Sequence, residues 1–279
     1  MKIYHGMKGL GDNIYQRAFV KALPKPFYLQ TPWAELYEDI DGVYCTRPNT
    51  RLRTQAKNIK RYEHYHVEPV GAAIGIQYGR DGIIRGMRHC FGVEPAELDL
   101  PDFGHVESSV KFAVVRPVTH RKEWLAQSRS PDPKYVSEAA DILRDSGYLV
   151  VSVADLADGE EWAESPLPYA DVQYHKGELN VRQLLALIQN ASAVVGGVGW
   201  IVPAAIAAKT PAWIINGGQG GYNSRERITD PRMDLSRIEF AVPDQFCHCF
   251  QSTHKCRKTI SNHADKFTDW IRRLPDLVA

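Results

Sequence analysis

Short apolar runs alternate with longer stretches whose apolar residues recur at helical spacing, and turn residues separate the two. Residues 2–5 are a first strand candidate, and Gly6, Gly9 and Gly11 punctuate the turn behind it. Asp12 or Asn13 then caps a predicted helix that reaches about Leu23, with Tyr15, Phe19, Ala22 and Leu23 on one face. Pro24 and Pro26 stop it. Phe27-Tyr28-Leu29 and Val43-Tyr44-Cys45 are the next strands. The theme returns at residues 111–116, which read as a buried parallel strand. Asp132-Pro133 then supplies an N-cap and a first helical position, Tyr135, Ala139, Ile142 and Leu143 a helical face, and Gly147 the C-terminal cap. Residues 148–153 form another strand. Asn180 and Gln183 open a helix with a capping-box pattern and an apolar stripe of Val181, Leu184, Leu185 and Ile188. Ala193-Val194-Val195 and Ala212-Trp213-Ile214-Ile215 flank a helix from about Trp200 to Ala208.

This alternation predicts the α/β class with parallel sheets. The 279 residues suit two domains better than one core. A polar, proline-containing stretch at 97–109 reads as the linker, giving domains at 1–105 and 110–260. A last amphipathic helix in 261–279 carries Ala264, Phe267, Ile271 and Leu274 at near-helical spacing.

Three glycine-rich turns follow strands. In Gly9-Leu10-Gly11-Asp12-Asn13, bare backbone N–H groups and a helix start favour an anion or an oriented polar group. This is neither the dinucleotide fingerprint, because Tyr15 and Gln16 stand where a third glycine belongs, nor a P-loop, because no Gly-Lys-Ser/Thr occurs. Asp12 is a helix cap on one reading and a carboxylate facing a ligand crevice on the other. Gly196, Gly197, Gly199 and Trp200 precede an alanine-rich helix, which suits a phosphate cradle or tight packing equally. Gly217 and Gly218 begin a third turn, either a ligand-covering loop or a surface loop.

Composition narrows the classes. Apolar residues make up 44% and charged residues 24%, so wholesale disorder is excluded. No run of 18 apolar residues exists, so no membrane span is expected. No secretory signal pattern opens the chain, and five cysteines with two isolated ones argue against a disulfide scaffold. A cytoplasmic location is the expectation; oligomeric state is not legible. The net charge is only +1. Residues 47–61 nevertheless carry six cations and no acid, followed by Tyr62, His64, Tyr65 and His66. That run is either a solvated face or a contact for an anionic ligand such as nucleic acid or a phosphorylated glycan. Arg116, Arg121, Lys122 and Arg129 follow the first strand of the second domain, and Lys122 and Arg129 are selected to neutralise a diphosphate. Asp155 is a candidate for ribose hydroxyls or a turn residue. Cys247, Cys249, His254 and Cys256 are zinc candidates, but C-x-C-x6-C is not a standard zinc spacing. No metal is therefore assigned, and packed thiols or an incidental disulfide are expected.

Residues 7–23, MKGLGDNIYQRAFVKAL, resemble the Gly-Asp motif of the heptosyltransferase-like glycosyltransferases. Residues 194–218, VVGGVGWIVPAAIAAKTPAWIINGG, resemble that family's second-domain motif. Residues 112–124, 128–153 and 177–196 also look like their counterparts, so the resemblance covers most of the chain. It implies a GT-B architecture: two Rossmann-like domains with a cleft between them, acceptor on the first and nucleotide-sugar on the second. The last helix would pack back on the first domain. Asp12 falls on the motif aspartate, whose implied role is general base, with Gly9, Gly11, Asn13, Arg51, Arg53 and Lys57 on the acceptor side. Lys122, Arg129, Asp155, Gly196, Gly197, Gly199, Trp200, Gly217 and Gly218 fall on the donor side. The implied reaction is inverting transfer of a hexosyl or heptosyl group from a UDP- or ADP-sugar, with no cofactor required. The acceptor would be a hydroxyl on an anionic molecule, a hydroxymethylated DNA base or a glycan core. One departure matters: the acid and the His that family members carry around the second glycine turn are missing at residues 196–203. A catalytically degenerate, nucleic-acid-binding module is the alternative that this departure leaves.

Overall fold

A computed structural model describes residues 1–79 and 81–278. The first domain alternates β1 (Lys2–His5), α1 (Leu10–Ala22), β2 (Phe27–Gln30), β3 (Val43–Thr46), α2 (Arg53–Arg61), β4 (Ala73–Gly75) and α3 (Ile83–Phe91). Its strands are parallel in the order β3-β2-β1-β4. Strand β1 buries Ile3 and Tyr4, and α1 covers it with Ile14, Phe19 and Val20, all nearly inaccessible to solvent. Phe91 of α3 stacks on Phe19, with ring centroids 5.5 Å apart.

The second domain contains β5 (Phe112–Val115), β6 (Thr119–Arg121), α4 (Pro133–Asp145), β7 (Leu149–Val153), β8 (Glu161–Ala163), β9 (Val172–Tyr174) and α5 (Val181–Asn190). It continues through β10 (Ala193–Gly197), α6 (Ile201–Ala208), β11 (Ala212–Ile215), α7 (Gly220–Asn223), α8 (Arg225–Ile228), β12 (Ile238–Ala241) and α9 (His263–Val278). Its parallel sheet runs β12-β11-β10-β5-β7-β9, while β6 and β8 form a separate antiparallel ribbon. The expected local signals are used: the Asp132 side chain accepts the Lys134 N–H ahead of α4, and Asn180 and Gln183 close a full capping box on α5. Among the described residues, no helix is long and apolar enough to cross a membrane.

The 97–109 stretch runs between the domains and is pinned down: Leu98 and Leu100 are buried, and Gln189 bonds both Pro101 O and the Phe103 N–H. One expectation is corrected here. The last helix, α9, does not return to the first domain. Phe267 and Trp270 bury themselves against Trp213 of β11, with centroids 5.3 and 5.6 Å away, and α9 lies on α4. The outer face of the second sheet needs these rings to be covered, and α4 alone leaves it open.

The two domains meet through α1 and α6. Gly11 makes the approach possible, because a Cβ there would lie 2.9 Å from the Trp200 Cα. The Tyr15 hydroxyl adds a 2.6 Å bond to Ile228 O.

Candidate active site

Each sheet reverses its strand order once, and both reversals open on one cleft. In the first sheet the reversal lies between β1 and β4, in the second between β5 and β10. Ligands of open α/β sheets bind beyond the carboxyl ends of strands at such points. The cleft has a volume of about 780 Å³, enough for a nucleotide-sugar.

Asp12 stands on the first-domain side. It occupies the third position of α1, not the cap expected from the sequence; Gly9 holds the cap. The carboxylate reaches back to the Gly9 N–H and remains half-buried in the cleft wall. Burial pushes its pKa up to about 6, although Arg129 and the Gly9 N–H pull it down. Asp12 is thus a stronger base than an ordinary carboxylate and still mostly ionised at neutral pH.

Positive charge gathers on the opposite side. Arg116 is the first residue beyond β5, beside the turn that ends β10: a Cβ on Gly199 would lie 3.7 Å from its Nη1. It donates to Thr119 Oγ1 at 3.0 Å. Burial lowers its pKa to about 10, and the neighbouring Arg121 and Arg129 act in the same sense. Arg121 is neutralised by Glu161 at 2.7 Å. Arg129 has no hydrogen-bonding side-chain partner among the described residues, and burial lowers its pKa while Tyr78 and Asp12 oppose the change. The start of α6 points into the same region, with Gly199 and Trp200 lining the cleft and no side-chain cap on the helix. Two guanidiniums beside an uncapped helix start offer the charge and the N–H donors that a diphosphate needs.

Lys122, expected from the sequence to contact a diphosphate, lies outside the cleft, whereas Arg116 lines it. Lys122 is 68% exposed and pairs with Glu160 at 3.5 Å. The usable signal was position: a residue directly beyond a buried parallel strand faces the crevice. Asn13 also lies outside the cleft. It is buried, donates to Met7 O and Gly9 O, and accepts from the Thr31 hydroxyl. Gly196 and Gly197 make room for Arg116 and Pro131, and Gly217 for the backbone at Arg129 and Ser130; none of the three lines the cleft. Gly218 lies against Cys256.

Half of the cations of the 47–61 run, Arg53, Lys57 and Arg61, are engaged by the second domain. Lys57 pairs with Asp155 at 2.6 Å, and Arg53 with Asp155 at 3.1 Å and Glu161 at 2.9 Å. Arg61 donates to Gly177 O and Leu179 O. These cations face the acidic edge of the second domain, so their charge is spent in closing the cleft. Arg51 and Lys60 are exposed without a polar partner among the described residues. Asp155 is occupied too: burial would raise its pKa, but Lys57, Arg53 and the Thr54 hydroxyl hold it below the usual carboxylate range. Sequence reasoning missed Trp33, Tyr78 and Gln55, which line the first-domain wall. Gln55 is 1% exposed, and its Oε1 has no partner.

A second constellation lies at residues 247–256. The ligand atoms of Cys247, Cys249, His254 and Cys256 lie within 4.8 Å of one another. Cys249 and Cys256 sulfurs are 3.6 Å apart, and His254 Nδ1 is 3.3 Å from Cys256 and 3.5 Å from Cys247. A tetrahedral thiolate site has edges of about 3.8 Å, so the set fits a four-coordinate zinc or iron ion. All five cysteines are free, so the incidental disulfide expected from spacing is not formed.

No protein-family model and no curated protein matches the chain. Solved structures do. The iron-containing dodecameric glycosyltransferase TibC from enterotoxigenic E. coli H10407 aligns with TM-score 0.62 at 14% identity, over 100% of this chain and 78% of that one. A TibC complex with ADP-D-β-D-heptose gives 0.61, also at 14%, over 100% and 79%. E. coli ADP-heptose LPS heptosyltransferase II gives 0.58 at 15%, over 100% and 99%. A family 9 glycosyl transferase from Veillonella parvula DSM 2008 gives 0.57 at 11%, over 99% and 97%. Likeness over whole chains, with both strand-order reversals facing one cleft, makes this a chain with the GT-B fold of the heptosyltransferases.

Proposed function

We propose that the chain is a glycosyltransferase that moves a sugar from a nucleoside-diphosphate sugar to an acceptor hydroxyl. The observation that carries this reading is the apposition of Asp12, with its pKa near 6, to the Arg116 and Arg129 guanidiniums in one cleft. Asp12 takes the acceptor proton as the hydroxyl oxygen attacks the anomeric carbon. The bond from that carbon to the diphosphate breaks on the opposite side, which inverts the centre. Arg116, Arg129 and the start of α6 receive the charge that develops on the leaving diphosphate. An ADP-sugar is the first donor to test, because the TibC complex holds ADP-D-β-D-heptose; a UDP-sugar is the second.

The missing acid and His at residues 196–203 are consistent with donor contacts from backbone N–H groups and arginines. A hydroxyl on a compact ring ligand fits the acceptor wall of Trp33, Tyr78 and Gln55. With Arg53, Lys57 and Arg61 engaged, an anionic acceptor, DNA included, and the nucleic-acid-binding alternative rest on the exposed Arg47, Arg51 and Lys60 alone. A zinc or iron ion on the Cys247, Cys249, His254 and Cys256 set belongs to the same proposal. It would be held away from the reacting atoms, as a structural ion.

A calorimetric screen of ADP, UDP, GDP and CDP tests the reading. At least one should bind and raise the melting temperature, because a ligand of the native state alone stabilises it. Absence of binding by all four, at millimolar concentration, removes the donor site.

A further inference from the structure

Two cleft-lining loops converge on the segment that carries the cysteines. From the loop after β11, Gly220 donates its N–H to Cys247 O at 2.8 Å, and Gly221 donates to Cys249 O at 3.2 Å. The Gln219 N–H is directed at the sulfurs of Cys249 and Cys256. Gly218 packs so tightly on Cys256 that a Cβ there would lie 2.4 Å from its sulfur. The Tyr222 ring meets Phe250 edge-on, with centroids 4.9 Å apart. From the loop before α4, the Ser128 N–H bonds Ser252 O at 2.9 Å and its hydroxyl bonds His254 O at 2.8 Å. Lys258 reaches back to Gln127 O at 2.9 Å.

These anchors bear directly on the cleft. Gln219, Tyr222 and Asn223 line it from the first loop and Arg129 from the second. Gln219 is held at φ 55°, a left-handed conformation that a non-glycine residue adopts only when its surroundings impose it. The 247–256 segment has neither helix nor strand of its own. Its hydrogen bonds to the two loops and the convergence of its four potential ligands give it its shape, so an ion at their centre would brace both loops at once.

We infer that the Cys247, Cys249, His254 and Cys256 knuckle is the positioning element of the donor side: metal held there locks the Gln219 and Arg129 loops together, and its occupancy sets nucleotide affinity. This rests on the reading of the cleft as a nucleotide-sugar site and of the knuckle as a metal site. The sheets stand without the metal, because their cores are built from β5, β7, β10 and β11 and the helices that cover them.

The full chain, purified without added metal, is first analysed for zinc and iron; about one ion per chain is expected. Metal is then stripped by chelator under reducing conditions and restored with zinc, or with ferrous iron without oxygen. ADP and UDP binding is measured by calorimetry, and amide hydrogen exchange is followed in parallel. Stripping should weaken nucleotide binding by at least about tenfold, equal to about 1.4 kcal/mol. It should deprotect residues 126–130 and 216–223 while β5 and β10 stay protected, and restored metal should reverse both changes. Cys256→Ser should reproduce the stripped protein.

Unchanged nucleotide affinity with equally protected loops in the stripped protein overturns the coupling. Lost protection in β5 and β10 overturns it too, since the ion would then be a staple for the whole fold. A chain that retains no zinc or iron under any condition overturns the metal site. If the metal-loaded protein binds neither nucleotide while exchange still shows the loops bracing on metal, the donor-site reading fails and the knuckle's ordering role stands.

Discussion

The Lys57 ammonium lies 2.6 Å from the Asp155 carboxylate, which ties α2 of the first domain to the end of β7 in the second. Arg53 joins the same carboxylate and also Glu161, whose side chain is 2% exposed. The domains are therefore clasped along one side of the cleft by charges that face each other across it.

Asp155→Asn should lower the unfolding free energy by about 1–2 kcal/mol at pH 7, because it leaves Lys57 partly buried without its counter-charge. Asp155 titrates below its ordinary value in the folded chain, so its contribution is complete above about pH 4. It disappears as the pH falls through the folded pKa. Urea titrations of parent and variant should therefore differ by a constant amount from pH 5 to 8 and converge below pH 4. Arg51→Gln, at an exposed position without a polar partner, should stay within about 0.5 kcal/mol of the parent. Equal stability of Asp155→Asn and parent at every pH would mean that the clasp contributes nothing.

Much of this architecture was legible in the sequence because it rests on local rules. The capping box at Asn180, the Asp132-Pro133 start and the buried run before Arg116 each name an element without any knowledge of its neighbours. What was not legible depends on partners distant in the chain. Asp12 read as a cap or as a crevice-facing carboxylate, and only the backbone path shows Gly9 in the cap position with Asp12 turned back onto it. The cations of α2 looked free, because nothing local announces that Asp155 and Glu161, about a hundred residues away, will meet them. The apolar stripe of α9 was seen, but a stripe does not say which sheet it covers; Trp213 decides that.

Arg129 acts on both partners of the proposed reaction. Arg129→Gln should weaken ADP binding by about ten- to a hundredfold, the usual worth of a charge-assisted contact. It also removes the positive charge that restrains the Asp12 pKa, so the acid limb of kcat/KM should move to higher pH. Arg116→Gln should reduce nucleotide affinity similarly. A parent-like pH profile in Arg129→Gln would separate that guanidinium from Asp12.

Gly11 allows the two domains to touch at the cleft floor. Its absent Cβ would lie 2.9 Å from the Trp200 Cα, and a backbone atom cannot rotate away as a side chain end can. Gly11→Ala should cost about 1–3 kcal/mol by overpacking. It should also raise the KM for donor, because Trp200 carries the start of α6. A variant with parent stability and parent KM would show that the domains separate there freely.

Asp12→Asn tests the proposed base with two readouts that a structural role would not combine. Asn at the third helical position keeps an oxygen for the Gly9 N–H, so the helix start survives. Basicity is lost, and kcat should fall by about two to four orders of magnitude. In the parent, kcat/KM should rise with pH and level off above about pH 6, where Asp12 is ionised; in the variant that ionisation should be gone. Stability should move the opposite way. The folded pKa lies above the unfolded value of 3.8, so ionisation of Asp12 weakens the folded state as pH climbs from about 4 to 6. Above that window the neutral amide escapes the burial penalty, and the variant should be more stable than the parent by at most about 3 kcal/mol. At pH 4 and below, both carry a neutral group and the difference should close. An inactive variant that is also less stable at pH 7 would make Asp12 a structural carboxylate, whereas turnover at the parent rate would remove it from the chemistry.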